Sequence, residues 1–147
     1  MSILDKKESN IRRKIIEFLS SNFPDIYWHS QRLDGFGQID VFGMSPKFVY
    51  IIEVELKRED PVNNVAKIYR YLDETEMYQN KRVVFIHAFS PKYLEGSFLT
   101  KRLNAEFIGQ KMQEAYLNVE YHSFIYEDVE SLNRNILNLI KRATSES

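Results

Sequence analysis

The spacing of apolar residues predicts an amphipathic helix at the start of the chain, ending before Pro24. Its apolar side consists of five residues at helical spacing, Leu4, Ile11, Ile15, Phe18 and Leu19. Three strands are predicted next, the first beginning at residues 26–28, the second over 38–42 and the third from 48 to about 57, with glycines and a Ser-Pro-Lys turn between them. The short connection between the second and third strands predicts that these two pair as a hairpin.

The second half of the chain alternates helix and strand. Asp60 and Pro61 are typical of a helix start, and this helix is expected to run to about Gln79. Residues 82–89 form the most apolar strand, which we expect inside the sheet. A helical region from Ser90 to about residue 116, a strand over 119–126 and a last helix complete the order α-β-β-β-α-β-α-β-α. This order is typical of one α/β domain over residues 1–147, with a mixed central sheet flanked by helices.

Composition narrows the class of protein. The chain has 147 residues, of which 44% are hydrophobic and 28% charged, and it contains no cysteine. These values are typical of a globular protein, and they exclude disulfides, thiolate metal sites and cysteine nucleophiles. No apolar stretch approaches the ~20 residues that cross a bilayer, and residues 1–7 lack the apolar stretch of a secretory signal. We therefore expect a cytoplasmic protein that does not bind membranes.

The charge balance limits how the chain can bind nucleic acid. Twenty basic residues against 21 acidic residues give a net charge of −1. Bulk attraction to phosphate is therefore weak, because phosphate contacts by basic residues supply most of the non-specific affinity for DNA. A nucleic-acid-binding function would need a local basic face, and the balance favours recruitment by a protein partner.

Strand alternation gathers acidic side chains on one face of the predicted sheet. Glu53, Glu55 and Lys57 share a face of the third strand, and hairpin pairing brings Asp40 close to the Glu55 side. Two carboxylates ~4 Å apart repel by roughly 4 kcal/mol at an effective dielectric of about 20. A divalent cation removes this cost, and Mg²⁺ prefers one or two carboxylates together with waters and substrate oxygens. With a lysine to hold the attacking water, such a site can hydrolyse a phosphodiester.

The segment Gly37-Gln38-Ile39-Asp40-Val41, followed by Glu55-Leu56-Lys57, resembles the motif of the PD-(D/E)XK nuclease superfamily. The resemblance implies a restriction-endonuclease-like core and a DNA endonuclease activity, with RNA not excluded as a substrate. It also implies that Asp40 and Glu55 bind Mg²⁺ or Mn²⁺ and that Lys57 assists the hydrolytic water. The chain departs from the family motif in having no proline before Asp40.

The doublet Glu53-Val54-Glu55 leaves two assignments of the family glutamate. If Glu53 is that glutamate, Glu55 stands where the lysine is expected. The assignment of Glu55 with Lys57 keeps both residue types, and Glu53 is then an auxiliary metal ligand. Glu8 is a further predicted ligand. It lies on the apolar stripe of the first helix, where a buried carboxylate needs a partner, and some members of the superfamily carry a metal-site glutamate on this helix.

Candidate nucleic-acid contacts are Gln38, which shares a face with Asp40, and Lys67 and Arg70 on the helix after Pro61. The same basic residues also fit an ordinary solvated helix face. His87 ends an apolar strand and is predicted to pack in the core. One active site cuts one strand, so cleavage of a duplex would suit a homodimer. The alternative function is a catalytically inactive nuclease-fold domain that serves as a DNA-binding or protein-interaction module in a larger complex.

Overall fold

The computed structural model describes residues 3–145 and the side chains of residues 6–145. Leu4 of the predicted apolar stripe lies outside the described side chains. The helices and strands of this part are α1 (Ile3–Asn22), β1 (His29–Leu33), β2 (Gly37–Met44), β3 (Phe48–Glu55), α2 (Val62–Thr75), β4 (Arg82–Phe89), α3 (Gly96–Ala115), β5 (Val119–Ile125) and α4 (Val129–Ser145), with a short 3-10 helix at Pro91–Leu94. The predicted order of helices and strands is confirmed.

The five strands form one mixed sheet in the order β1-β2-β3-β4-β5. The pairs β1–β2 and β2–β3 are antiparallel, whereas β3–β4 and β4–β5 are parallel. The predicted hairpin of β2 and β3 is confirmed, with Val41 opposite Ile52 and Phe42 opposite Ile51. The strand β4 lies between β3 and β5 and is buried on both faces, as its continuous apolar sequence predicts.

Helices cover both faces of the sheet, which gives the predicted single α/β domain three layers. On one face, α2 and α3 contribute Val65, Ile68, Leu72, Ala105 and Met112 to a core with Val49, Ile51, Val83 and Phe85. On the other face, α1 and α4 contribute Ile15, Leu19, Leu132, Ile136 and Ile140 to a core with Tyr50, Ile52, Val84 and Ile86. Among residues 3–145, no helix is long and apolar enough to cross a membrane.

The first strand differs from its prediction. The aromatic run at residues 26–28 precedes β1, which begins at His29. Trp28 is buried and packs over Gly43, where an added Cβ would lie 2.5 Å from the Trp28 ring. Its ring also lies 5.5 Å from that of Tyr50. Trp28 therefore packs against the sheet, and the run that contains it does not pair as a strand.

The segment between β3 and α2 also differs from its prediction. The strand β3 ends at Glu55, two residues before Lys57, where the chain bends. Asp60 does not cap α2 with its side chain, since its carboxylate accepts a hydrogen bond from Arg58 Nε at 2.7 Å. The helix α2 ends at Thr75, four residues earlier than expected. Because β3 ends at Glu55, Lys57 does not follow the strand alternation that puts Glu53 and Glu55 on one face. This is the difference that bears most on the predicted site.

Candidate active site

A cavity of about 430 Å³ opens at the carboxyl end of β3. Its walls come from α1, the β1–β2 hairpin, β3 and the start of α2. The charged and amide side chains that line it are Glu8, Arg12, Gln38, Asp40, Glu53, Glu55, Arg58, Asn63, Asn64 and Lys67. The cavity therefore collects most of the residues that the sequence predicts as a metal site.

The carboxylates of Asp40 and Glu53 each accept a hydrogen bond from a backbone N–H of the other residue's strand. The backbone N–H of Asp40 donates to Glu53 Oε1 at 3.3 Å, and the N–H of Val54 donates to Asp40 Oδ2 at 2.9 Å. Side-chain oxygens thus accept N–H groups of the facing strand where β2 meets the end of β3. This arrangement fixes two acidic side chains next to each other at the floor of the cavity.

Glu55 is fixed by donors from α2 and β4. Its Oε2 accepts hydrogen bonds from Asn64 Nδ2 and His87 Nε2, both at 2.7 Å. Glu55, Asn64 and His87 are all buried. His87 Nδ1 in turn lies 2.7 Å from the hydroxyl of Tyr121. The prediction that His87 packs in the core is confirmed, and its polar contact with Glu55 is an additional finding.

Lys67 brings a positive charge into the same cluster. Its Nζ lies 3.2 Å from Glu53 Oε1, donates to Asn64 Oδ1 at 2.8 Å and donates to the carbonyl oxygen of Gln38. The side chain is only 11% exposed. Asn64 and Lys67 are three residues apart, so they lie next to each other on the face of α2 that meets β3. Helix geometry therefore places one lysine among three carboxylates.

Burial makes the ionised forms of two of the carboxyls in this cluster unfavourable. Burial raises the pKa of Asp40, the N–H of Val54 lowers it, and the charge of Glu55 raises it further. The pKa of Glu53 is raised well above its ordinary value by burial and by the charge of Asp40, which Lys67 offsets only in part. The site therefore favours a proton or another cation between Asp40 and Glu53.

The structure separates the predicted site residues into two groups. Asp40, Glu53 and Glu55 share the cavity, whereas Lys57 is exposed and does not line it. Glu8 lines the cavity but is exposed, so it lies at the rim and is not buried in the apolar stripe. The lysine that contacts the carboxylates is Lys67, which the sequence pattern assigned to nucleic-acid contact.

The other two predicted nucleic-acid contacts also have defined places. Gln38 is exposed and lines the cavity, and its carbonyl accepts a hydrogen bond from Lys67. Arg70 donates to the carbonyl of Gly35 at 2.8 Å, pairs with Glu74 at 3.0 Å and lies 4.1 Å from the centre of the Phe36 ring. Arg70 therefore supports the β1–β2 hairpin that forms one wall of the cavity.

Five polar residues of the cavity or cluster were not predicted as site residues: Arg12, Arg58, Asn63, Asn64 and His87. Asn64 had a usable signal, because it precedes the apolar stripe of α2 by one position and Lys67 by three. Arg12 and Arg58 had none, since single arginines on a helix and in a loop are common. His87 contacts Glu55 only because β4 lies beside β3 in the sheet.

The donor set fits Mg²⁺ or Mn²⁺ bound by few protein ligands. Among the described residues, no group of three or more His, Asp or Glu side chains is positioned to hold a metal ion. Mg²⁺ commonly binds one or two carboxylates and keeps several waters. Asp40 and Glu53 suit this mode, since their hydrogen bonds described above involve one oxygen each and their raised pKa values indicate a need for positive charge.

Comparison of the chain with protein-family models, with curated proteins and with solved structures gives no match. The function is therefore argued from the cavity and its residues.

Proposed function

We propose that this chain is a metal-dependent endonuclease that hydrolyses DNA phosphodiester bonds, with the restriction-endonuclease-like core of the PD-(D/E)XK superfamily. The observation that carries the proposal is the meeting of Asp40, Glu53, Glu55 and Lys67 in one cavity. The mixed sheet supports it, since an acidic hairpin precedes the two parallel strands in the order that the resemblance implies.

Asp40 and Glu53 would hold the metal ion, Mg²⁺ or Mn²⁺, with Glu55 as an additional acid. When bound, the ion supplies charge that polarises a phosphoryl oxygen and lowers the pKa of a water. This choice makes Glu53 the family glutamate, with Glu55 where the motif has its lysine. It rests on the hydrogen bond from the Asp40 N–H to Glu53 and on the electrostatic coupling of the two carboxyls.

Lys67 supplies the positive charge that the motif assigns to a strand lysine. Its ammonium group is held by Glu53, Asn64 and the carbonyl of Gln38, so its position is fixed before substrate arrives. A fixed charge at this place can orient the attacking water and stabilise charge that develops on the phosphate. Lys57, which is exposed outside the cavity, is the alternative lysine.

Arg12 and Arg58 are suited to contact the phosphodiester. Both line the cavity, and Arg12 is close enough to Asp40 to lower its pKa. Arg58 is partly exposed and is held by Asp60 at 2.7 Å. Guanidinium groups bind phosphate oxygens with two parallel hydrogen bonds, so these two arginines can hold the substrate in the cavity.

The proposal is tested by incubating purified protein with supercoiled plasmid in Mg²⁺, Mn²⁺ or EDTA. We expect nicking that requires metal and that falls by about 10²–10⁴-fold in Asp40→Asn and Lys67→Met. The matched variant Lys57→Met should cut within a few-fold of the wild type. Cleavage that survives Asp40→Asn would overturn the site. If cleavage is lost in Lys57→Met and retained in Lys67→Met, the lysine that assists the water is Lys57. A parallel assay with RNA decides between the two polymers.

One observation favours the alternative of an interaction module. Leu103 and Phe107, one turn apart on α3, are 50% and 60% exposed, and Leu94 just before this helix is 55% exposed. Exposed apolar side chains on neighbouring turns of a helix, as at Leu103 and Phe107, are typical of a contact with a protein partner or a second copy of the chain. Absence of cleavage on DNA and RNA, together with no stabilisation by Mn²⁺, would favour this function over the nuclease.

A further inference from the structure

We propose that His87 is a positioning residue that fixes the carboxylate of Glu55 at the floor of the cavity. This inference rests on the proposed function, because Glu55 is one of its acids. His87 is fully buried on β4 and is not among the residues that line the cavity. Its ring touches the site only through Glu55, with 2.7 Å between Nε2 and Oε2. It therefore acts through Glu55 and not on the substrate.

The contacts of the ring give each of its nitrogens a polar partner. Tyr121 is buried, and burial raises the pKa of its hydroxyl, so the group keeps its proton. That hydroxyl lies 2.7 Å from His87 Nδ1, to which it can donate. In the tautomer with its hydrogen on Nε2, the ring accepts from Tyr121 and donates to Glu55. This tautomer satisfies both ring nitrogens.

This arrangement restricts the orientation of Glu55. Its Oε2 receives two donors, His87 Nε2 from one side and Asn64 Nδ2 from the other. Asn64 also accepts from Lys67, so the donors to Glu55 connect to the lysine of the cavity. Hydrogen-bonded neighbours of this kind orient metal-binding carboxylates and typically change metal affinity by 10–100-fold when removed.

A packing role for His87 makes a different prediction. The ring lies 4.3 Å from that of Phe89 and 5.6 Å from that of Phe85, so it also fills space in the core. If filling space were its role, a folded apolar variant would keep the metal dependence of the wild type. If it positions Glu55, an N–H donor is needed at that place.

The test compares His87→Leu with His87→Gln, whose amide keeps a donor near the place of Nε2. We measure Mn²⁺ binding from the rise in Tm with Mn²⁺ concentration, and separately the Mn²⁺ concentration that half-activates plasmid cleavage, kcat and KM. We expect His87→Leu to need 10–100-fold more Mn²⁺ and to lose kcat with little change in KM, and His87→Gln to recover most of both. Wild-type behaviour in a folded His87→Leu, or an equal loss in both variants, would overturn the inference.

Tyr121→Phe keeps the test decisive if His87→Leu does not fold. Removing the hydroxyl frees His87 Nδ1, so we expect the Mn²⁺ requirement to rise severalfold. The control is Tyr116→Phe, because the hydroxyl of Tyr116 donates to Asp73 at 2.7 Å and not to His87 or Glu55. An equal effect of the two variants would contradict the inference. A wild type that neither binds Mn²⁺ nor cleaves would overturn the proposed function itself, whereas unaffected variants of an active wild type would overturn only the role of His87.

Discussion

Asp40 lowers the stability of the folded protein when the site holds no cation. Its raised pKa means that the folded protein binds a proton at this carboxyl more tightly than the unfolded chain does. The stabilisation by that proton is fully present below the unfolded pKa of about 4 and is lost as the pH rises through the folded value. Burial of the Asp40 carboxylate, together with the negative charge of Glu55, therefore lowers the free energy of unfolding at neutral pH.

We predict that Asp40→Asn raises the free energy of unfolding in EDTA at pH 7, because a neutral amide avoids the cost of a buried charge. The amide oxygen of asparagine still accepts the N–H of Val54, so that hydrogen bond is kept. Urea denaturation at pH 4 and pH 7 checks the prediction, with the gain expected mainly at pH 7. Asp34→Asn, at a fully exposed aspartate, is the control. An equal effect of Asp40→Asn at both pH values would contradict this account.

At the scale of the element, α3 approaches β5 closely at Gly109. A Cβ on Gly109 would lie 2.4 Å from the ring of Tyr121, which is too close for any side chain. In an open helix, Gly→Ala stabilises by about 1 kcal/mol. Here the ring of Tyr121 must move, and its hydroxyl is the partner of His87. The glycine therefore matters to the hydrogen bonds behind Glu55 as well as to packing.

We predict that Gly109→Ala lowers the free energy of unfolding by about 1–3 kcal/mol, the usual cost of an overpacked core position. Thermal denaturation measures this loss, and metal-dependent cleavage should fall with it. Gln110→Ala, at the exposed next position of the same helix, should change stability by less than about 0.5 kcal/mol. A Gly109→Ala protein at least as stable as the wild type would mean that α3 moves away from the sheet at no cost.

Hydrophobic patterning predicts most accurately the helices and strands whose burial is uniform along their length. Residues 82–89 were predicted to their ends, because β4 is buried on both faces and is apolar throughout. The place of Lys57 was not predictable from alternation, which holds only while the strand continues. The chain after Glu55 is held by Ser90, whose N–H donates to the carbonyl of Glu55 and whose hydroxyl donates to that of Leu56. A contact between residues 34 or 35 positions apart leaves no local pattern in the sequence.

The candidate site was predictable in part for the same reason. Alternation along β3 and the hairpin with β2 placed Asp40, Glu53 and Glu55 near one another from the sequence. The choice between Glu53 and Glu55 as the partner of Asp40 depends on the register at the end of the hairpin. The position of Lys67 depends on how α2 packs across β3. Both are tertiary contacts, and the spacing of residues along one element does not determine them.

At the scale of the whole molecule, the net charge of −1 and the distribution of ion pairs limit binding to DNA. Many basic side chains have an acidic partner close by, as in the pairs Arg13–Glu17, Arg70–Glu74, Arg82–Glu120, Lys101–Glu59, Arg102–Glu106 and Lys111–Glu114. In this chain, such pairs offset part of the positive charge outside the cavity. Its non-specific affinity for DNA at physiological salt is therefore expected at the weak end of the usual range, with a Kd of about 10⁻⁴ M.

Two neighbouring arginines on α1 allow an experiment that distinguishes a phosphate contact in the cavity from an effect of overall charge. Arg12 lines the cavity, whereas Arg13 is exposed and pairs with Glu17 at 3.0 Å. Both substitutions, Arg12→Gln and Arg13→Gln, change the net charge by the same amount. If substrate phosphate binds in the cavity, Arg12→Gln should raise KM and lower the slope of log KM against log salt by about one unit, because one phosphate contact is lost.

Arg13→Gln should leave KM and its salt dependence close to those of the wild type. Plasmid cleavage measured from about 20 to about 150 mM salt gives both quantities. Equal effects of the two substitutions would show that binding follows the overall charge and not a contact in the cavity. The DNA would then lie on a broader surface, and a chain with a net charge of −1 would need a partner or a second copy to supply positive charge.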